Sequence, residues 1–136
     1  MPTAGESMRW GLRSRYRALG AAVVVAASAT AALAGDATGT WRRPSTGTVV
    51  NFYDCGANLC AKIVAVKDAS KQSTVGTVIM PGAKKVSDNK WEGDLLNTED
   101  GKTYSGVVTL DSGGLMLKGC ILGGFICKGE TWSRVQ

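Results

Sequence analysis

Beyond Gly35 the sequence gives a helix almost nothing to build on. Apolar residues show almost no helical periodicity, and turn-forming residues interrupt the chain every 8 to 14 positions. Between the interruptions lie short β-branched or alternating runs, the pattern of half-buried strands. Of the 18 glycines, 15 fall from Gly35 onward. The pattern predicts an all-β sandwich or barrel of eight strands, at about 39–43, 48–54, 60–67, 74–80, 89–96, 103–110, 115–121 and 126–135. Tight connections are supplied by "RPSTG" with Pro44 and Gly47, by Asp100-Gly101, by "DSGG" and by Gly123-Gly124. The fourth strand is the least regular, polar at both ends and with Pro81 in its exit.

Hairpins of this length favour up-and-down antiparallel order, and closing the sheet removes edges that so small a sheet could hardly protect. The expected fold is therefore a small eight-stranded up-and-down barrel, wide enough inside for side chains or one small ligand. Alternation points Val50, Phe52, Ala61, Ile63 and Ala65 inward. It points Asn51, Tyr53, Lys62, Cys55 and Cys60 outward, together with Val49, Val64 and Val66.

The first 34 residues read differently. Arg9, Arg13, Arg15 and Arg17 stand against one acid, Glu6, and an uncharged run from Ala18 to Ala34 follows, closing on Ala32-Leu33-Ala34. A basic segment, an apolar segment and a small-x-small cleavage pattern in that order predict a signal peptide over residues 1–34. Residues 35–136 then form a single domain. Removing four of 16 basic residues and one of 11 acids leaves 12 against 10, a charge of +2 rather than +5. The basic character is mostly targeting, so no nucleic-acid partner is implied.

All four cysteines, Cys55, Cys60, Cys120 and Cys127, lie beyond the signal peptide, and an even count in an oxidising compartment favours disulfides. In an up-and-down barrel the turn between strands two and three and the turn between seven and eight lie at opposite ends. Cross-pairing would exceed the roughly 7 Å Cα limit for a bridge, so Cys55 should pair with Cys60 and Cys120 with Cys127. Closing rings this small is worth about 2 to 2.5 kcal/mol each. If Gly123-Gly124 form a two-residue turn, the second pair falls at the wider, hydrogen-bonded cross-strand spacing. A four-thiolate zinc site and a redox pair fit less well. The first needs all four sulfurs on one ion, the second a two-residue spacing at a helix N-terminus.

The sequence contains no His. That removes the commonest general base, most zinc chemistry and every serine or cysteine triad. Glu92 and Asp94 share a strand face and could form a carboxylate pair, but solvated strand acids are the simpler reading without a cleft to hold a sugar chain. No catalytic, metal-binding or cofactor-binding residue is assigned, and no cofactor is expected.

Two segments carry a resemblance. Gly39-Thr40-Trp41 opens the first strand and Trp132-Ser133-Arg134 ends the last. Together they resemble the structural signature of lipocalin-type barrels. The resemblance implies that Gly39, Trp41, Trp132 and Arg134 form the barrel closure, with Arg134 stacked on Trp41. More widely, "GTW" at 39–41, "YDCGANLCAKIV" at 53–64, "WEG" at 91–93, "EDGKTYSG" at 99–106, "LMLKGC" at 115–120 and "TWSRV" at 131–135 resemble a bacterial exported family, domain-of-unknown-function family 2147. That family implies a lipocalin-like barrel in the periplasm and no activity. The chain departs from it at residues 71–85, where "KQSTVGTVIMPGAKK" replaces an "NPD"-like segment.

The expectation is a periplasmic, or else secreted, non-catalytic binding module that takes a small apolar ligand in the barrel mouth, with no membrane span in the mature chain. The alternative is a cell-envelope interaction protein, or an inhibitor of an exported hydrolase, that uses the hairpin tips. A third reading, an enzyme built on Glu92, Asp94 or Lys62, is disfavoured by the missing histidine.

Overall fold

A computed structural model describes residues 36–135, so the signal peptide expected over residues 1–34 lies outside the described residues. Eight strands follow one another: β1 (Gly39–Arg42), β2 (Val49–Cys55), β3 (Asn58–Ala65), β4 (Val78–Ser87), β5 (Lys90–Asn97), β6 (Lys102–Asp111), β7 (Gly114–Ile121) and β8 (Ile126–Arg134). Each pairs antiparallel with its neighbours in sequence, and β8 returns to β1 to close the barrel. Two short 3-10 turns, Ala69–Thr74 and Leu122–Gly124, are the other regular elements among the described residues.

The fourth strand differs from expectation. Thr74 and Val75 do not start it. Asp68 caps the preceding turn instead, accepting hydrogen bonds from the Ser70 backbone N–H at 3.0 Å and the Ser70 hydroxyl at 2.8 Å. The strand then runs on through Pro81. Its register against β3 slips between Leu59↔Ala83 and Ala61↔Met80, so the proline sits at a bulge where a missing N–H costs no ladder bond. Beyond the bulge β4 leaves β3 and pairs with β5, from Lys84↔Glu92 onward.

A second bulge corrects the face assignment. Val50, Phe52, Ala61 and Ile63 are buried, but Ala65 is exposed. Val49 pairs with Ala65 while Val50 pairs with Ile63, so Val64 is the extra residue. One inserted residue reverses the alternation beyond it. Val64 and Ala65 therefore both face solvent, while Val49 is buried and Val66 packs against the core.

The core fills one end of the barrel. Phe52, Leu59, Met80, Leu115, Val50 and Val108 are its largest fully buried side chains. Phe52 meets Trp132 edge-on, with ring centroids 6.1 Å apart. Gly93, Gly106 and Gly119 pair in one row across β5, β6 and β7. A Cβ on Gly106 would lie 2.7 Å from the Cβ of Leu95, so a side chain there would stop the sheet from curling this tightly.

The seam is short: among the described residues Trp41↔Arg134 and Arg42↔Ser133 pair across it, and the Val135 N–H donates to the Thr40 carbonyl at 2.8 Å. Arg134 reinforces it. Its guanidinium carbon lies 4.2 Å from the Trp41 ring centroid, and its two terminal nitrogens donate to the carbonyls of Thr38 at 3.0 Å and Asp36 at 2.9 Å. Trp41 in turn donates its indole N–H to the Ala37 carbonyl at 2.9 Å. Gly39 leaves room for this: its φ is +120°, and a Cβ would come within 2.7 Å of an Arg134 nitrogen. Replacing Arg134 by Ala removes the stacking and both hydrogen bonds. We expect a loss of about 2 kcal/mol, a fall in Tm on the order of 10 °C for a domain of this size. Arg134→Lys should recover less than half of it, because an ammonium cannot stack and fork together. Thermal unfolding followed by circular dichroism checks both, and a fall under about 2 °C for Arg134→Ala would sink this account of the seam.

Candidate functional site

Because consecutive strands pair antiparallel, their turns alternate between the two ends. The N-terminal segment at 36–38 and the turns at 56–57, 88–89 and 112–113 share the end that the Arg134 clamp covers. The loops 43–48, 66–77, 98–101 and 122–125 surround the other. At that second end a cavity of about 490 Å³ opens into the barrel. Its walls are apolar, formed by Val50, Ile63, Ile79, Leu95, Leu117 and Trp132. Its rim is polar, with Arg43, Thr48, Asn97, Thr98, Lys128 and Glu130. A smaller space of about 180 Å³ lies at the clamped end, between residues 36–38 and Trp91.

The rim is organised by Glu130, which the sequence reading did not single out. It lies on β8, two residues before Trp132 on the same face. Its carboxylate accepts from Arg43 Nε at 3.0 Å, from the Ser45 backbone N–H at 3.1 Å and from the Ser45 hydroxyl at 2.9 Å. These bonds continue the β1–β8 seam through side chains after the strand pairing has stopped. Burial alone would raise the Glu130 pKa, but the hydrogen bonds from Arg43 and Ser45 outweigh it and hold the carboxyl below its ordinary value of 4.5. An acid two residues before an inward Trp was the available sequence signal, but its partner lies 87 residues away. On the opposite lip the Tyr104 hydroxyl donates to the Asp100 carboxylate, which lowers the acid's pKa and raises the phenol's. Lys128 faces the row of glycines across the Gly119↔Lys128 pair, and forms no ion pair among the described residues.

The sequence-predicted residues divide by location. Gly39, Trp41 and Arg134 meet at the seam, while Trp132 packs edge-on against Phe52 and backs the cavity. Cys55 is bridged to Cys60 with Cα atoms 5.8 Å apart, and Cys120 to Cys127 at 4.1 Å. The second spacing corrects the expected wide pair. Ile121↔Ile126 is the last pair of the hairpin, so its loop has four residues rather than two, which shifts the cysteines to the narrow, non-hydrogen-bonded position. Cys60, expected on the outside, is only 4% exposed, with its sulfur 3.1 Å from the Pro81 carbonyl oxygen. Disulfides of this kind belong to an oxidising compartment outside the cytoplasm. Glu92, Asp94 and Lys62 are exposed on the outer surface and do not reach the cavity. Glu92 lies 3.8 Å from Lys90, and Lys62 sits over the Tyr53 ring.

A family model described as "Uncharacterized protein conserved in bacteria (DUF2147)" matches residues 39–134. The chain belongs to this family. Within this DUF2147 chain residues 71–85 span the end of the capped turn, the β3–β4 connection and most of β4, so they border the mouth. Among curated proteins none matches the chain. Among solved structures the chain is similar to "Protein HP1028 from the human pathogen Helicobacter pylori belongs to the lipocalin family", with a TM-score of 0.61 and 21% identity over 74% of this chain and 84% of that one. At that identity the likeness concerns the fold: this DUF2147 barrel is lipocalin-like.

The Glu130 strap predicts a pH dependence. A carboxyl with a depressed folded pKa contributes stability above its ordinary value and loses it as the pH falls through the folded one. Glu130→Gln should therefore cost about 1 kcal/mol near neutral pH. The gap to wild type should close once the pH drops below 4.5 and through the lower folded value. Tm measured on both proteins across the acid range checks this. A gap that persists unchanged at low pH would mean that Glu130 acts by packing rather than charge.

Proposed function

We propose that this chain is a non-catalytic binding module that takes one small, mainly apolar ligand into the mouth of its barrel. A single observation carries the reading. The barrel is not filled: a cavity of about 490 Å³ with Val50, Ile63, Ile79, Leu117 and Trp132 on its walls opens at one end. That lies within the roughly 300 to 1,000 Å³ range of small-molecule sites, which combine an apolar lining with a few polar groups. The rim also holds a cationic donor without an ion-pair partner among the described residues, the Lys128 ammonium. An apolar body carrying an acceptor group therefore fits better than a bare hydrocarbon. The lipocalin-like fold supports the same reading.

The position of the acids supports binding over catalysis. Glu92 and Asp94 are exposed on the outer face and line neither cavity described above, and the carboxylate at the mouth, Glu130, is engaged by Arg43 and Ser45. The export signal read over residues 1–34 and the two disulfides support a periplasmic location, with the barrel as the single mature domain.

An apolar fluorescent probe such as N-phenylnaphthylamine should bind with one-to-one stoichiometry and brighten on entry. Thr48→Trp places an indole across the mouth and should weaken probe binding about tenfold or more, with little change in Tm. No saturable probe uptake by the wild-type protein, or equal uptake by the variant, would sink the cavity as the site.

A further inference from the structure

The tip of the β7–β8 hairpin carries two apolar residues, Leu122 and Phe125, that neither the core nor the cavity uses. Leu122 is 67% and Phe125 90% exposed, and the flanking Ile121 and Ile126 are 44% and 49% exposed. Apolar residues scattered singly on a surface need no explanation, but four on one turn form a contiguous patch. The backbone presents them deliberately. Leu122 has φ +54° and is followed by Gly123 at +68° and Gly124 at +95°. A leucine in the left-handed region is uncommon, and this one spends that conformation on holding an apolar side chain in water. The Cys120–Cys127 bridge lies one residue pair behind the tip and fixes its shape.

The charges behind the tip have one sign. Lys128 and Lys118 stand two and three pairs behind Ile121↔Ile126, and no acid occurs from Ser112 to Gly129. At about 3.4 Å per residue the two ammonium stems start roughly 7 to 10 Å behind the tip. An interfacial segment buries its apolar face about 5 to 10 Å into the boundary between headgroups and acyl chains. With Leu122 and Phe125 at that depth, both lysines would meet anionic headgroups, and their aliphatic stems can snorkel to them. A protein partner would be served as well by the apolar residues, but not specifically by two cations at that distance.

We propose that this hairpin tip docks the protein on an anionic lipid surface. The tip dips into the interface, the barrel stays in water, and no membrane is crossed. Docking stands on the tip alone. Its use rests on the ligand-binding reading: Ile121 and Ile126 also line the cavity, so a docked barrel holds its mouth against the membrane. An apolar ligand then passes between bilayer and cavity without crossing water.

Flotation with vesicles of phosphatidylglycerol and phosphatidylethanolamine, beside vesicles of phosphatidylcholine alone, tests this. Wild-type protein should float with the anionic vesicles and be released as salt is raised. Leu122→Ser combined with Phe125→Ser should weaken flotation about tenfold or more, and Lys118→Gln should weaken it selectively on anionic vesicles. Both variants should keep the wild-type Tm and, in vesicle-free buffer, the wild-type affinity for N-phenylnaphthylamine. Absence of flotation, or flotation that the tip variant leaves unchanged, overturns the proposal. So does a wild-type dimer that the tip variant makes monomeric without either protein floating, since the tip would then be a self-association surface. Probe uptake without flotation removes the docking proposal alone. Flotation without probe uptake removes the cavity reading and leaves the docking.

Discussion

The guanidinium of Arg134 lying on the ring of Trp41 is the contact on which the rest of the barrel depends. A sheet gains from closure only if its first and last strands meet, and here the first strand has four residues and two partners on the last. Two pairs of residues are a weak seam. Arg134 strengthens it by stacking on Trp41 from the strand opposite while tying down the carbonyls of Asp36 and Thr38. The segment before β1 is thereby folded over one end of the barrel, and Ala37 is buried beneath it. At the other end no residue plays this part, and Glu130 continues the seam as a polar strap. The asymmetry between a covered base and an open mouth begins in this difference between two seam ends.

The interior follows the same asymmetry. Large side chains such as Phe52, Leu59 and Leu115 fill the space near the clamp. Toward the mouth, glycine occupies inward positions on three adjacent strands, at Gly93, Gly106 and Gly119, and the fourth position of that row is Lys128. Leu95 and Tyr104 lean over Gly106 and Gly119, so the glycines admit tight curvature rather than empty space. What remains open is the space walled by Val50, Ile63, Ile79, Leu117 and Trp132.

How much of this was legible depended on whether the signal was local. The eight strands and their order could be read because alternation and turn chemistry are properties of neighbouring residues. The two errors of register arose where one residue breaks that locality. Val64 is a bulge with no turn residue to announce it, so Ala65 was placed on the wrong face. Pro81 looked like a strand end because proline removes a donor, yet at a bulge no donor was needed. At the β7–β8 tip the glycine pair suggested a two-residue turn, but the left-handed Leu122 widened the loop, and a leucine gives no warning of that conformation. In the site, the apolar walls were partly foreseen through Val50 and Ile63. Glu130 was not, because its meaning lies in Arg43 and Ser45, which reach it only after the chain has gone round the barrel.

The mouth has a charge preference that follows from Glu130 being committed. Arg43, Lys128 and Glu130 share the rim, and the carboxylate is held ionised by Arg43 and Ser45. One cation is matched and the other is left over. Atoms brought to this rim are favoured when they accept hydrogen bonds or carry negative charge. Lys128 also belongs to the hairpin that bears Leu122 and Phe125, so a single short segment sets both the polarity of the mouth and the apolar character of its lip. A substitution on that hairpin should therefore be read on both properties together, because the four-residue loop and its disulfide couple them within one rigid element.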